Sequence, residues 1–186
     1  MKRKILSSIL IGMSCTLIGA SSLMAHDGGE DKGDRGRERN RTTFVAHADL
    51  VGAQENPLIS TEAKGHFHAV VDTVAGTITW TLKYDALEGT VTQAHVHVGQ
   101  RGVNGGISFY MCTNGAAPAG PLPPACPVPP AEISGVITAE NIIGPTGQGI
   151  PLAAFAEVVG HMRDGNSYAN VHSSVAPGGE IRGQLH

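Results

Sequence analysis

The most regular hydrophobic pattern in the chain is the strict alternation through Thr92-Gln93-Ala94-His95-Val96-His97-Val98-Gly99. A period of two puts Ala94, Val96 and Val98 on one face of a strand and His95 and His97 on the other. The same period recurs at 65–73, where Phe67, Ala69 and Val71 oppose His66, His68 and Val70, and at 77–84, where Trp80, Leu82 and Tyr84 are in phase. Further strands are predicted at 43–52, 91–98, 107–112, 133–137, 168–173 and 179–185. Gln54-Glu55-Asn56-Pro57, Ala75-Gly76, Glu88-Gly89 and the Gly-rich stretch 101–106 punctuate them. One segment, 152–164, has helical spacing through Leu152, Phe155, Ala156, Val159 and Met162, with Gly165 where a helix stops. Seven or eight short strands and one short helix predict an all-β Greek-key sandwich or barrel. Aromatic residues make up only 4% of the chain, so its core must rest on Val, Ile, Leu and Ala.

Ahead of the first strand the pattern changes twice. A basic head, Met1-Lys2-Arg3-Lys4, precedes an uncharged apolar run at 5–23, and polarity returns abruptly at His26-Asp27-Gly28-Gly29. Residues 1–25 therefore read as a secretory signal peptide cut after Ala25. A retained membrane anchor is the alternative, because the run approaches the roughly 20 residues of a span. Residues 26–42 are charged and Gly-rich with no large apolar group, and read as a flexible linker; residues 43–186 are expected to form the folded domain. The expected location is secreted or periplasmic, without membrane insertion once the signal is removed.

Charge and cysteine content narrow the partners. Loss of Lys2, Arg3 and Lys4 leaves 10 basic against 16 acidic residues, a net charge near −6. That sign argues against nucleic acid and anionic membrane as partners. Cys112 and Cys126 remain beyond the signal segment. In an exported chain such a pair reads as one disulfide pinning the Pro-rich loop between them; two free thiols serving a metal are the alternative.

The candidate chemistry lies in the histidines. His95 and His97 stand about 7 Å apart along their strand, at roughly 3.3 Å per residue, so one cation can use both only if the rings turn together and a third ligand arrives. His172 supplies it, because Tyr168, Asn170 and His172 share the polar face opposite Ala169 and Val171. His68, of the His66/His68 pair, is a candidate fourth ligand. Glu180 and Arg182, on one face by alternation, are placed to orient an imidazole or to pair with each other. Neutral imidazoles suit Cu or Zn. Release is expected as the rings protonate below about pH 6. The alternative is that these histidines only knit loops together through hydrogen bonds. His26, His47, His161 and His186 are read as linker, strand edge, helix surface and terminus, with no role. No Gly-x-Ser-x-Gly or His-Glu-x-x-His motif occurs, so no catalytic residue is assigned.

These residues also carry a family resemblance. Leu50-Val51-Gly52-Ala53-Gln54-Glu55-Asn56-Pro57, Ala94-His95-Val96-His97-Val98-Gly99, Asn104-Gly105-Gly106, Tyr168-Ala169-Asn170-Val171-His172 and the stretch from Pro177 to Leu185 together resemble the CHRD (chordin-type) domain, over about 44–185. Ser173 and Gly106 depart from it, where Thr and Pro are usual. The resemblance implies an immunoglobulin-like all-β sandwich in an extracytoplasmic setting, with signature histidines matching His95, His97 and His172. It implies little about activity. Three readings follow: an exported module holding Cu or Zn, a metal-free module that binds an envelope or extracellular protein, and a copper-dependent enzyme resembling superoxide dismutase. The sequence favours a binding module over an enzyme.

Overall fold

The computed structural model describes residues 42–116 and 118–186; the expected signal peptide, and the linker as far as residue 41, lie outside them. Alternation and turn residues produce eight strands: β1 (Thr43–Val51), β2 (Lys64–Asp72), β3 (Thr77–Asp85), β4 (Val91–Val98), β5 (Gly106–Thr113), β6 (Ala131–Ile137), β7 (Ser167–Ser173) and β8 (Ile181–Gln184). The single α-helix described, α1, spans Phe155–Arg163. It starts three residues later than the spacing predicted. Ala153 has a φ of 61°, and left-handed backbone cannot join a right-handed helix. The half-turn so formed is held by Ala153 N–H donating to the Ile142 carbonyl at 2.9 Å, and it leaves Leu152 exposed.

Every strand pair is antiparallel, in the order β5-β4-β7-β8-β1-β2-β3-β6. The neighbours β4–β7, β8–β1 and β3–β6 are distant in sequence, as Greek-key crossings require. The expected all-β fold with one short helix is present, and its hydrogen bonding runs through one sheet wrapped nearly shut. Loops cover the free edge of β5: Ile143 N–H donates to the Ser108 carbonyl and Thr113 N–H to the Pro124 carbonyl, each at 2.9 Å. Edge groups paired in this way offer no template to another chain.

The inward face holds the predicted apolar positions. Phe67, Ala69, Val71, Ile78, Leu82, Ala94, Val96, Phe109, Ala169 and Val171 are all wholly buried, and Trp80 and Tyr84 nearly so. α1 closes one side by burying Val158, Val159 and Met162. The outward faces of β1, β2 and β3 are solvated, with His66, His68 and Val70 exposed, as alternation requires.

Cys112 and Cys126 are disulfide-bonded with a sequence separation of 14, which bears out the pairing. The bond anchors the Pro-rich loop to β5, where Cys126 N–H also donates to Asn114 Oδ1 at 3.0 Å. Closing a loop of that size removes chain entropy worth about 3 kcal/mol from the unfolded state. The double variant Cys112→Ala, Cys126→Ala is expected to lose about that much unfolding free energy in urea, with the histidine cluster described below still formed. Unchanged stability would mean that the loop is held by its hydrogen bonds alone.

Candidate metal centre

The register of β4 against β7 sets His95 opposite Asn170, His97 opposite Tyr168 and Gln93 opposite His172. All three imidazoles therefore leave the same outer face, away from the core. The sequence places that face in solvent, and the structure corrects this: His95 is 0% exposed, His97 7% and His172 6%. Loops and tyrosines roof it. Tyr110 of β5 packs edge-on against His95 with ring centroids 4.3 Å apart, and Tyr168 stacks on His97 at 4.6 Å and 3°. The Gly105 carbonyl closes over His97 and the Pro177 carbonyl over His172.

The rings do turn together. Ring centroids lie 5.4 Å apart for His95–His97, 4.8 Å for His95–His172 and 6.5 Å for His97–His172. One ligand nitrogen from each falls within 4.8 Å of the others.

Hydrogen bonding determines which nitrogens face inward. His97 Nδ1 lies 2.9 Å from the Gly105 carbonyl and His172 Nδ1 lies 2.9 Å from that of Pro177. A backbone carbonyl only accepts, so both Nδ1 atoms carry the proton. In neutral rings Nε2 is then a bare lone pair. Both Nε2 atoms converge on Asn170 Oδ1, at 3.1 Å each, so acceptors meet an acceptor with no proton between them. His95 sits beside this point: neither ring nitrogen meets a partner at good hydrogen-bond geometry, and the Asn170 side chain is the hydrogen-bonding group that acts on it. A buried polar atom left without a partner costs about 1–3 kcal/mol. The convergent, electron-rich atoms suit a cation.

The rings are held neutral. His95 is lowered to about 2, chiefly by burial and then by His172 and His97 beside it. His97 is lowered to about 4, again chiefly by burial. His172 is lowered by the same cause, opposed by its bond to the Pro177 carbonyl. Neutral imidazole is the form that ligates a metal.

The other predicted site residues are distributed differently. His68 is exposed on β2, with β7, β8 and β1 between its strand and β4, and does not join the cluster. Glu180 is 1% exposed, but its Oε1 accepts from Glu88 N–H at 2.7 Å and from Thr61 Oγ1 at 3.0 Å. It ties two loops to the start of β8, and the backbone carbonyls take the imidazole-orienting role expected of it. Arg182 acts through Tyr168: its guanidinium lies 3.4 Å above the ring centroid, while His97 stacks on the same ring from the strand on the other side. Its Nη1 donates to Asn104 Oδ1 at 3.0 Å and its Nη2 to the Val103 carbonyl at 2.8 Å, which fixes the loop that carries Gly105.

Several supporting groups went unassigned in the sequence. Asn170 is placed by alternation on the polar face with His172, but only the fold brings its side chain between two imidazoles. Tyr110 alternates with the buried Phe109 and Met111, which places it on the outer face, but only the β4–β5 register brings it to His95. Gly105 has a steric signature: a Cβ there would lie 1.7 Å from the Val98 carbonyl oxygen, so only glycine lets this backbone reach His97. Glu55 is 8% exposed and hydrogen-bonds the Asn170 amide. Gly179, at φ 127°, leaves room for that contact, since a Cβ would fall 2.4 Å from Glu55 Oε1.

An outer-face cluster of three buried imidazoles on adjacent strands of a nearly closed antiparallel sheet marks the described residues as a β-domain with a candidate metal centre. A family model described as the CHRD domain matches residues 46–185, and the chain belongs to that family. No curated protein and no solved structure matches it.

Glu55 provides a check on the roof. Burial raises its carboxyl to about 7, against the opposing charge of Arg182 and hydrogen bonds from Asn170 and the Asn56 backbone. The folded state therefore holds a proton that the unfolded chain releases above about pH 4.5, and this group's contribution to stability falls as pH rises from there to about 7. Glu55→Gln is expected to be more stable than the parent at pH 8, by on the order of 1–3 kcal/mol, with the difference gone below pH 4.5. The lowered histidines act in the opposite sense in both proteins, withdrawing stability as pH falls below about 6.5. Urea unfolding across pH 4–8 measures both slopes; parallel curves for parent and variant would place Glu55 in solvent.

Proposed function

We propose that this CHRD domain is an exported binding module for one transition-metal ion, Cu or Zn, held by His95, His97 and His172. The observation that carries the reading is His95: a wholly buried imidazole whose nitrogens meet no partner at good hydrogen-bond geometry and no backbone carbonyl, beside two rings whose Nδ1 protons are committed to carbonyls. Metal–imidazole bonds of about 2.0–2.1 Å allow ligand nitrogens at most about 4.2 Å apart. The present 4.8 Å limit requires a closure of less than about 1.5 Å even for tetrahedral spacing. His95, which unlike His97 and His172 is not tied to a backbone carbonyl, is the ring able to make it. Nitrogen ligands without thiolate fit copper or zinc, and Asn170 Oδ1 is a further donor within reach.

Export is part of this reading. The signal peptide expected at 1–25 from the sequence, the disulfide and membership of a family named for an extracellular protein support a secreted or periplasmic site. Among the described residues no helix is long and apolar enough to cross a membrane.

A metal-free interaction module is the second reading. It is favoured by His97 and His172, each of which already spends its Nδ1 proton on a loop carbonyl and so knits that loop to the sheet. The two readings part on linkage. Zn(II) at 100 times its dissociation constant should raise the unfolding free energy by about 2.7 kcal/mol. His95→Ala and His172→Ala should abolish that gain, and His68→Ala should keep it. Retained stabilisation in His95→Ala, or none in the parent, would overturn the metal reading.

Acid release separates this site from an exposed histidine site. With His97 near 4 and His95 near 2, protons compete weakly, so the ion should remain at pH 5 and leave only toward pH 4. That is lower than the pH 6 expected from the sequence. Elemental analysis after dialysis at each pH reads the release; loss complete by pH 6 would contradict the buried ligand set.

A further inference from the structure

Three histidines without a role in the buried cluster, His47, His68 and His186, stand together. β1 and β2 pair in a register that sets His47 directly across from His68. His47 N–H donates to the His186 carbonyl at 3.0 Å, and His186 N–H donates back to the His47 carbonyl at 3.1 Å. His47 thus directs both backbone groups toward His186, which makes His47–His68 a non-hydrogen-bonded pair. In such pairs Cα atoms approach to about 4.5 Å and the side chains come closest. The neighbours Ala46, Ala48, Phe67 and Ala69 are buried in the core, so His47 and His68 both stand on the outer face. The His186 ring joins them there, with its centroid 4.1 Å from that of His47.

The result is a continuous row, His186–His47–His68, across three adjacent chain segments. His68 and His186 are exposed and His47 is half-buried. His186 Nδ1 faces the Gln184 carbonyl at 3.3 Å. That contact directs the Nδ1 proton inward and turns Nε2 outward as a lone pair. Directly opposed side chains have Cβ atoms about 4.5–5.5 Å apart; among the described residues only the buried trio already has its ligand atoms within 4.8 Å, so this row reaches the spacing of one ion by rotation of the exposed His68 and His186 rings toward His47. The adjoining pair in the ladder, Asp49 and His66, is already joined at 2.9 Å, which keeps that imidazole out of the row.

We propose that His186, His47 and His68 form a second metal site, open to solvent, which takes an exchangeable borderline divalent cation such as Cu(II). It shares no residue with the buried cluster and does not depend on it. Two or three imidazoles leave the remaining coordination positions to water, so the site binds more weakly and exchanges faster than one enclosed by protein. Copper stands highest in the divalent series for nitrogen ligands, which makes it the probe of choice.

The test is titration of the full chain with Cu(II), followed by calorimetry and electron paramagnetic resonance. The parent and three variants are compared: His47→Gln with His68→Gln, His66→Gln, and His95→Ala. The proposal predicts a weaker class of about one Cu(II) per chain with imidazole nitrogen coupling. Its affinity should fall at least tenfold in the double variant and hold in His66→Gln and His95→Ala. A weak class unchanged by the double variant, or none in the parent, overturns it. If the buried-site reading alone fails, the weak class remains and no class responds to His95→Ala.

Discussion

Two backbone carbonyls, those of Gly105 and Pro177, set the character of the buried cluster. By accepting the Nδ1 protons of His97 and His172 they fix the tautomers and turn both Nε2 lone pairs toward Asn170 and His95. Exposed to water, such rings would titrate near neutrality and point anywhere. Held by carbonyls under a roof, they stay neutral and convergent, which is how outer-shell hydrogen bonds prepare imidazole for a metal. The arrangement carries an electrostatic cost, because lone pairs face one another in a low-dielectric site. A cation is the species that would relieve it.

The carbonyls are in turn held by the surrounding structure. Tyr168 lies between His97 and Arg182, and Arg182 grips Val103 and Asn104, the residues that lead into Gly105. Gly105 N–H donates to the Tyr168 hydroxyl at 3.1 Å, so one aromatic ring couples the loop, the imidazole and the guanidinium. Arg182 brings positive charge close to a proposed cation site, and Glu55, near neutrality in its titration, lies within that field. The burial of Arg182 at 1% exposure is supported by its carbonyl and amide acceptors, as a buried guanidinium requires. Breaking this chain at Arg182 would loosen His97 through Tyr168 and the loop, and breaking it at Gly105 would remove the carbonyl that His97 bonds directly.

Alternation alone identified the strands, the core face and the three imidazoles, because a period of two is local information. The Ala94/Val96/Val98 and Ala169/Val171 faces entered the core as expected, and His172 joined His95 and His97. What alternation cannot convey is whether the opposite face meets water. On β2 it does, and His68 is exposed. On β4 and β7 the loops at 99–105 and 174–180 fold over it, and their course depends on contacts such as Arg182 with Val103 that link residues 79 positions apart. Glu180 was misread for the same reason: a carboxylate near a histidine in sequence found Thr61 and Glu88 in space. His47 and His186 gained significance only from the register of β1 with its two neighbours.

The most direct measurement is the imidazole nitrogen spectrum of the full chain, by long-range proton–nitrogen-15 correlation, before and after one equivalent of Zn(II). This account predicts Nδ1-protonated tautomers for His97 and His172 throughout, with their Nε2 signals moving on zinc addition and those of His95 moving with them. Nε2-protonated rings, or cluster signals indifferent to zinc while exposed histidines respond, would contradict it.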